Sequence, residues 1–262
     1  MVAEGVMDAA DFWVTMTGPD GARRQGPLSV MWPQRFEAGH PSRSFPAYRG
    51  QRNFTGWYWS ATCRGHVAYE SWLERDHLMR FDFDREMIAM AAQPFALAWD
   101  DSVKGHLEHT PDFFVRRSDG TGLVVDVRPD DRISERDAAK FAGTRDACEL
   151  VGWRYERVGA LEPVFAANLH WLAGFRHARV MREETAAALR EVFVSGAGLL
   201  HGARAVGDPV LVLPVLYHLL WCQQLAVDLQ AAVLSPSAWV SQGRIGREGD
   251  GDADASAAAV GG

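Results

Sequence analysis

The chain has 262 residues, 47% hydrophobic and 23% charged, the balance of a soluble globular protein with room for one large domain or two small ones. Its net charge of −7 excludes a generally basic nucleic-acid coat. Setting aside Glu248, Asp250, Asp252 and Asp254 of the tail takes that balance to −3, so an enzyme with a local basic patch is still admitted. Cys63, Cys148 and Cys222 show no paired spacing, which argues against a Cys-type zinc site and for a reduced, cytoplasmic setting.

Glu4, Asp8 and Asp11 interrupt any apolar run at the start, so no signal peptide is expected. Residues 1–66 read as a β-rich lead-in. Phe12 to Met16 is strand-like, Gly18-Pro-Asp-Gly21 is a turn, and Leu28 to Trp32 could return. Tyr48 to Phe54 and Trp57-Tyr-Trp59 interleave arginines with aromatics. That mix suits a DNA-backbone contact, but a strand with its aromatics in the core accounts for it better.

Residues 67–82 read as a helix with Val67, Trp72, Leu73, Leu78 and Phe81 toward the core. Glu70 and Glu74, four apart, share a face of it. Met87 to Trp99 is an apolar strand broken by Gln93-Pro94, which implies an edge or a bulge. Asp100 to Gly105 is a turn. Phe113-Phe-Val115 and Leu123 to Val127 are two strands joined by the turn Ser118-Asp-Gly-Thr-Gly122. Ser134 caps a helix that Gly152 ends, and Trp153 to Val158 alternates as a further strand.

The order helix, three strands, helix, strand makes an α/β core over 67–160. Residues 161–242 turn mainly helical, with helices over Pro163 to Arg179, Met181 to Val194 and Pro214 to Leu234, and a glycine-rich stretch from Gly196 to Gly207. Three helices with a small β element can make a winged-helix module. Pro209 to Val227 carries no formal charge, yet Pro214, His218, Gln223 and Gln224 favour a buried helix over a membrane span. Residues 243–262 read as a disordered tail.

Asp112 and Asp126 are the conspicuous acids of the hairpin. Alternation sends Asp126 and Arg128 the same way and Val127 into the core. Two carboxylates and a cation at one sheet edge suit a divalent metal and a phosphate. His106-x-x-His109 has no third ligand in register and reads as a surface turn.

Pro111-Asp112 followed by Asp126-Val-Arg128, with Glu74 on a helix upstream, resembles the PD-(D/E)xK nuclease pattern. The fuller run is Glu70-Ser-Trp-Leu-Glu-Arg-Asp76, then Gln93-Pro94, Thr110-Pro-Asp-Phe113 and Val124-Val-Asp-Val-Arg128. It resembles the TnsA-like endonuclease subunits of heteromeric transposases across about residues 45–180. The resemblance implies a restriction-endonuclease-like core with a winged-helix-like C-terminal domain. It implies Mg²⁺-dependent hydrolysis, with Mn²⁺ as a substitute, of one DNA strand at transposon ends. It also implies an integrase-like transposase subunit and an AAA+ ATPase regulator as partners. Glu74 takes the helical acid position, with Glu70 as the alternative, and Asp112 and Asp126 take the metal-binding acids. The Val127 carbonyl is a further ligand, and Arg128 stands where lysine is expected.

Arginine cannot act as a base, but it can hold a phosphate and stabilise developing charge. Lys140, on the next helix, is placed to supply the missing ammonium. A non-catalytic assembly subunit of the same fold and a stand-alone restriction- or repair-type nuclease are the competing readings.

Overall fold

The computed structural model of the chain describes residues 7–42, 54–129, 131 and 133–243. The basic run at 48–53 and nearly all of the acidic tail lie outside the described residues. The protein is a mixed α/β molecule, and the chain divides into two compact units between Ala173 and Gly174.

The first unit is built on two four-stranded sheets. One has the order β2-β1-β6-β7, with β1 (Trp13–Thr17), β2 (Arg23–Pro27), β6 (Ala96–Asp101) and β7 (Gly105–His109), all antiparallel. The other has the order β10-β9-β8-β5, with β5 (Met87–Ala92), β8 (Phe113–Arg117), β9 (Gly122–Val127) and β10 (Arg154–Val158). The expected order of helix, three strands, helix and strand survives in this second sheet, because the hairpin β6–β7 leaves it between β5 and β8 for the first. Gln93-Pro94 sits at the departure. Gln93 takes φ +48, and Pro94 cannot donate to a ladder, so one apolar run becomes two strands in two sheets. The segment before residue 66 is therefore no separate lead-in, because β1 pairs directly with β6.

β9 and β10 run parallel, which demands a crossover. Helix α3 (Glu135–Leu150) supplies it. Ser134 and Asp137 form a reciprocal capping box at its start, and Gly152 (φ +72) follows its end. Helix α2 (Trp72–Phe83) begins later than expected. Gly65–Tyr69 is a strand, β4, paired with β3 (Gly56–Ser60), and Ser71 accepts from the Glu74 amide to start the helix. Asp82 ties the end of α2 back to that hairpin by accepting from Tyr58 Oη (2.8 Å), Ser60 Oγ (2.7 Å), and the amides of Ala61 and Thr62.

Alternation along β8 and β9 sorts the core into two halves. Phe114 and Val124 pack with Phe36, Trp99, Leu107, Ala147 and Trp153, between the sheets and under α3. Phe113, Val115, Leu123, Val125 and Val127 pack with Leu78 and Phe81 of α2 on the opposite face. Helix α4 (Pro163–Ala173) closes the first unit and packs on α2.

The second unit runs through α5 (Glu183–Val192), β11 (Ala197–Gly198), α6 (Leu199–Val206), α7 (Pro209–Trp221), β12 (Leu225–Ala226) and β13 (Trp239–Gln242), with sheet order β11-β13-β12. The glycine-rich stretch thus holds a helix. Its Gly202 lets the Phe193 ring approach to 2.3 Å from where a Cβ would stand. α7 starts at Pro209, capped by Asp208, and contains Pro214 rather than beginning there. No helix among the described residues is long and apolar enough to cross a membrane.

Candidate active site

Asp112 lies just before β8, where that strand's pairing with β9 stops at Phe113–Val125. Its carboxylate takes over the ladder and accepts from the Val127 amide at 2.7 Å. The Asp112 carbonyl accepts from the Gln93 amide at 2.8 Å, so the crossing between sheets braces the same peptide. Asp126 follows from β9 and is 2% exposed. Arg128, one step past the strand, is exposed and keeps the same parity. Lys140 comes from the second turn of α3.

These four residues line one open cavity of about 420 Å³, together with Glu108, His109, Thr110, Asp137 and Phe141. The sequence places them 28 residues apart from Asp112 to Lys140; the antiparallel turn and the parallel crossover fold that distance away.

Glu74 does not line this cavity. The reason is parity: Asp126 faces the α3 side of the sheet, whereas α2 packs on the other side. The Glu74 carboxylate accepts from Ser71 Oγ and from the Glu70 amide, both at 2.8 Å, at the start of α2. Its charge nevertheless reaches Asp112 around the end of the sheet. Burial first, then the charges of Asp126 and Glu74, push the Asp112 carboxyl well above the usual carboxylate range, against the pull of the Val127 amide and Arg128.

His109, which the sequence reads as part of a surface turn, and Tyr155, which no sequence pattern singles out, both meet Asp126. His109 is the last residue of β7, on the inward parity of the fully buried Leu107, and not a surface turn. Its Nε2 lies 2.8 and 2.9 Å from the two oxygens of Asp126. Tyr155, in register with Val124 on the neighbouring β10, donates its hydroxyl to Asp126 Oδ2 at 2.7 Å. Burial, the Asp126 charge and that hydrogen bond push the Tyr155 hydroxyl up, so it stays a donor. The signal for both was alternation: His109 sits two after Leu107, and Tyr155 two after the buried Trp153. His106, by contrast, points outward and meets Asp100.

A divalent cation fits this chemistry in part. Asp112 and Asp126 are hard oxygen donors, and burial, with the charges of Asp126 and Glu74 behind it, raises the cost of ionising Asp112 where no cation stands by. Among the described residues, however, no three His, Cys, Asp or Glu side chains are arranged as a ready ligand set. Glu74 is turned to its helix cap and Asp126 to His109 and Tyr155. No family model matches the chain, and a search among curated proteins finds no match.

Proposed function

We propose that this chain is a metal-dependent DNA endonuclease, the strand-cleaving subunit of a heteromeric transposase, acting on one strand at each transposon end. The observation that carries the reading is the meeting of Asp112, Asp126, Arg128 and Lys140 in one cavity, two acids beside two cations. A second sheet of order β10-β9-β8-β5 flanked by α2 and α3 supports a restriction-endonuclease-like core. The order α5, β11, α6, α7, β12, β13 with sheet β11-β13-β12 supports a winged-helix reading of the second unit.

Asp112 and Asp126 would hold Mg²⁺, or Mn²⁺ in its place, with the Val127 carbonyl beside them. Bound there, the ion would supply a water acidic enough to attack at neutral pH and would offset charge on the phosphate. Arg128, exposed at the mouth, grips the non-bridging oxygens of the phosphodiester, and Lys140 faces the same space from α3. Glu74 acts at a distance, through its charge on Asp112. In the second unit, α7 occupies the place of a recognition helix, yet Pro209 to Trp221 carries no lysine or arginine. Such a helix is ill suited to phosphates or base edges, so that unit serves assembly with the transposase and ATPase partners rather than DNA reading.

The test is cleavage of end-containing DNA by the purified chain with an integrase-like transposase encoded beside it and Mg²⁺, with the cuts mapped on each strand. One nicked strand per end, lost in Asp112→Ala, is expected. Undiminished nicking by that variant would overturn the assignment. A non-catalytic assembly subunit is the second reading, favoured by the engagement of Glu74 in its cap. It predicts DNA binding without any cut.

A further inference from the structure

The Asp126 carboxylate is held by two side chains from elements remote from it in sequence. His109 Nε2 spans both oxygens almost symmetrically, at 2.8 and 2.9 Å. Tyr155 Oη reaches Oδ2 from the parallel strand at 2.7 Å. Phe141 of α3 meets the His109 ring edge to face, with centroids 5.6 Å apart and planes at 77°, which fixes the imidazole in turn. The Arg145 guanidinium lies over the Tyr155 ring at 5.3 Å. β7 and β10 therefore each restrain a side chain of β9 directly, and α3 restrains both partners in turn through Phe141 and Arg145.

A buried aspartate free to rotate would present an ion with a range of oxygen positions, and ordering it would cost affinity. Here Oδ2 accepts two hydrogen bonds and Oδ1 one. A carboxylate oxygen has two lone pairs, so Oδ1 is the oxygen left with acceptor capacity. Neither His109 nor Tyr155 belongs to the sequence pattern that marks the acids, and the pair supplies the hydrogen bonds that reach the Asp126 carboxylate. Partners of this kind around a ligating group orient it and typically alter metal affinity by about 10–100-fold when removed.

We infer that His109 and Tyr155 are positioning residues that fix the Asp126 carboxylate so that Oδ1 is presented to a divalent cation in the cavity. The inference rests on the metal-dependent reading proposed above. It concerns binding of the ion, so it is read without any DNA.

The experiment is calorimetric titration of Mn²⁺ into the purified full-length chain, with melting temperatures of the metal-free proteins measured alongside. His109→Ala is expected to bind about 10–100-fold more weakly than wild type, and Tyr155→Phe, which removes one hydroxyl, several-fold more weakly. His109→Gln, which restores an N–H donor, is expected to fall between wild type and His109→Ala. A purely structural role would lower the melting temperature of His109→Ala without this ordering of affinities. Should His109→Ala fail to fold, Tyr155→Phe and His109→Gln carry the test. Wild-type or tighter affinity in the folded variants would overturn the inference. Asp126→Asn separates the two levels. If it too binds Mn²⁺ like wild type, the metal-site reading itself fails; if it alone loses the ion, only the roles of His109 and Tyr155 fail.

Discussion

The Asp112 carboxylate accepts the Val127 amide at 2.7 Å where the pairing of β8 with β9 has run out, so a side chain stands in for a strand. The same carboxylate is crowded by the charges of Asp126 and Glu74. Substitution can separate these roles. Asp112→Asn keeps an acceptor for the amide and removes the charge, so the metal-free protein should melt at a higher temperature than wild type at pH 8. Asp112→Ala also loses the acceptor and should lie about 1–3 kcal/mol below Asp112→Asn, the cost of orphaning a buried amide. Equal melting temperatures for the two variants would remove the bond from the account.

The pH dependence follows from the same crowding. An unfolded aspartate releases its proton near pH ~4, whereas folded Asp112 holds its proton to higher pH. Across that interval the folded chain binds more protons than the unfolded one. Stability therefore declines as pH rises from about 4 through the raised value, and levels off above it. Thermal melts in chelator at constant ionic strength should show the decline, and Asp112→Asn should flatten it. His77 contributes with the opposite sign: burial pushes its imidazole down, so its share of stability is lost as pH falls below about 6.5.

Two cations face the acids, and they are not equivalent. Arg128 is exposed at the end of β9, while Lys140 is partly covered on α3. Removing a donor aimed at transition-state charge typically costs about 10²–10³-fold in rate. Arg128→Ala and Lys140→Ala should each lower single-turnover cleavage by roughly that factor. Arg128→Lys should retain more activity than Arg128→Ala, because an ammonium restores the charge without the fork of donors. Cleavage unaffected by Lys140→Ala would leave Arg128 as the sole cationic helper.

Gly143 sets the height of α3 over the sheets. A Cβ there would lie 2.4 Å from Trp99 Cζ2. Glycine inside a helix ordinarily costs about 1 kcal/mol against alanine, so propensity alone predicts that Gly143→Ala stabilises. Overpacking a filled core costs about 1–3 kcal/mol, and the indole is locked between Phe12 and the sheet. Overpacking should outweigh the propensity gain, so the variant should be destabilised by up to about 2 kcal/mol in denaturant titration. It should also weaken cleavage, because Lys140 rides on the same helix. A gain in stability would show that Trp99 can yield.

Much of the first unit was legible because local chemistry and tertiary packing agree. Ser134 with Asp137, the turn before Gly122, and the buried run Leu123–Val127 each specify their own structure. Four features were not legible. The run Met87 to Trp99 is uniformly apolar, and nothing local says that its halves serve different sheets. Val67 and Ala68 suit a helix stripe as well as a strand, so the end of β4 reads from the sequence as the start of α2. Glu74 was grouped with the other acids by sequence order, but which face of a sheet a helix covers is a long-range property. His109 was set aside for want of a third ligand, although its partner was one of the acids already chosen.

The departure of β6 and β7 from their neighbours in sequence has a mechanical consequence. His109 arrives from one sheet and Asp126 from the other, so the candidate pocket straddles a seam. Residues 7–42 contribute nothing to its walls, yet they build half of the scaffold that brings β7 to that seam. Trimming this segment would unmake the pocket from afar, leaving every acid in the chain and none of them gathered.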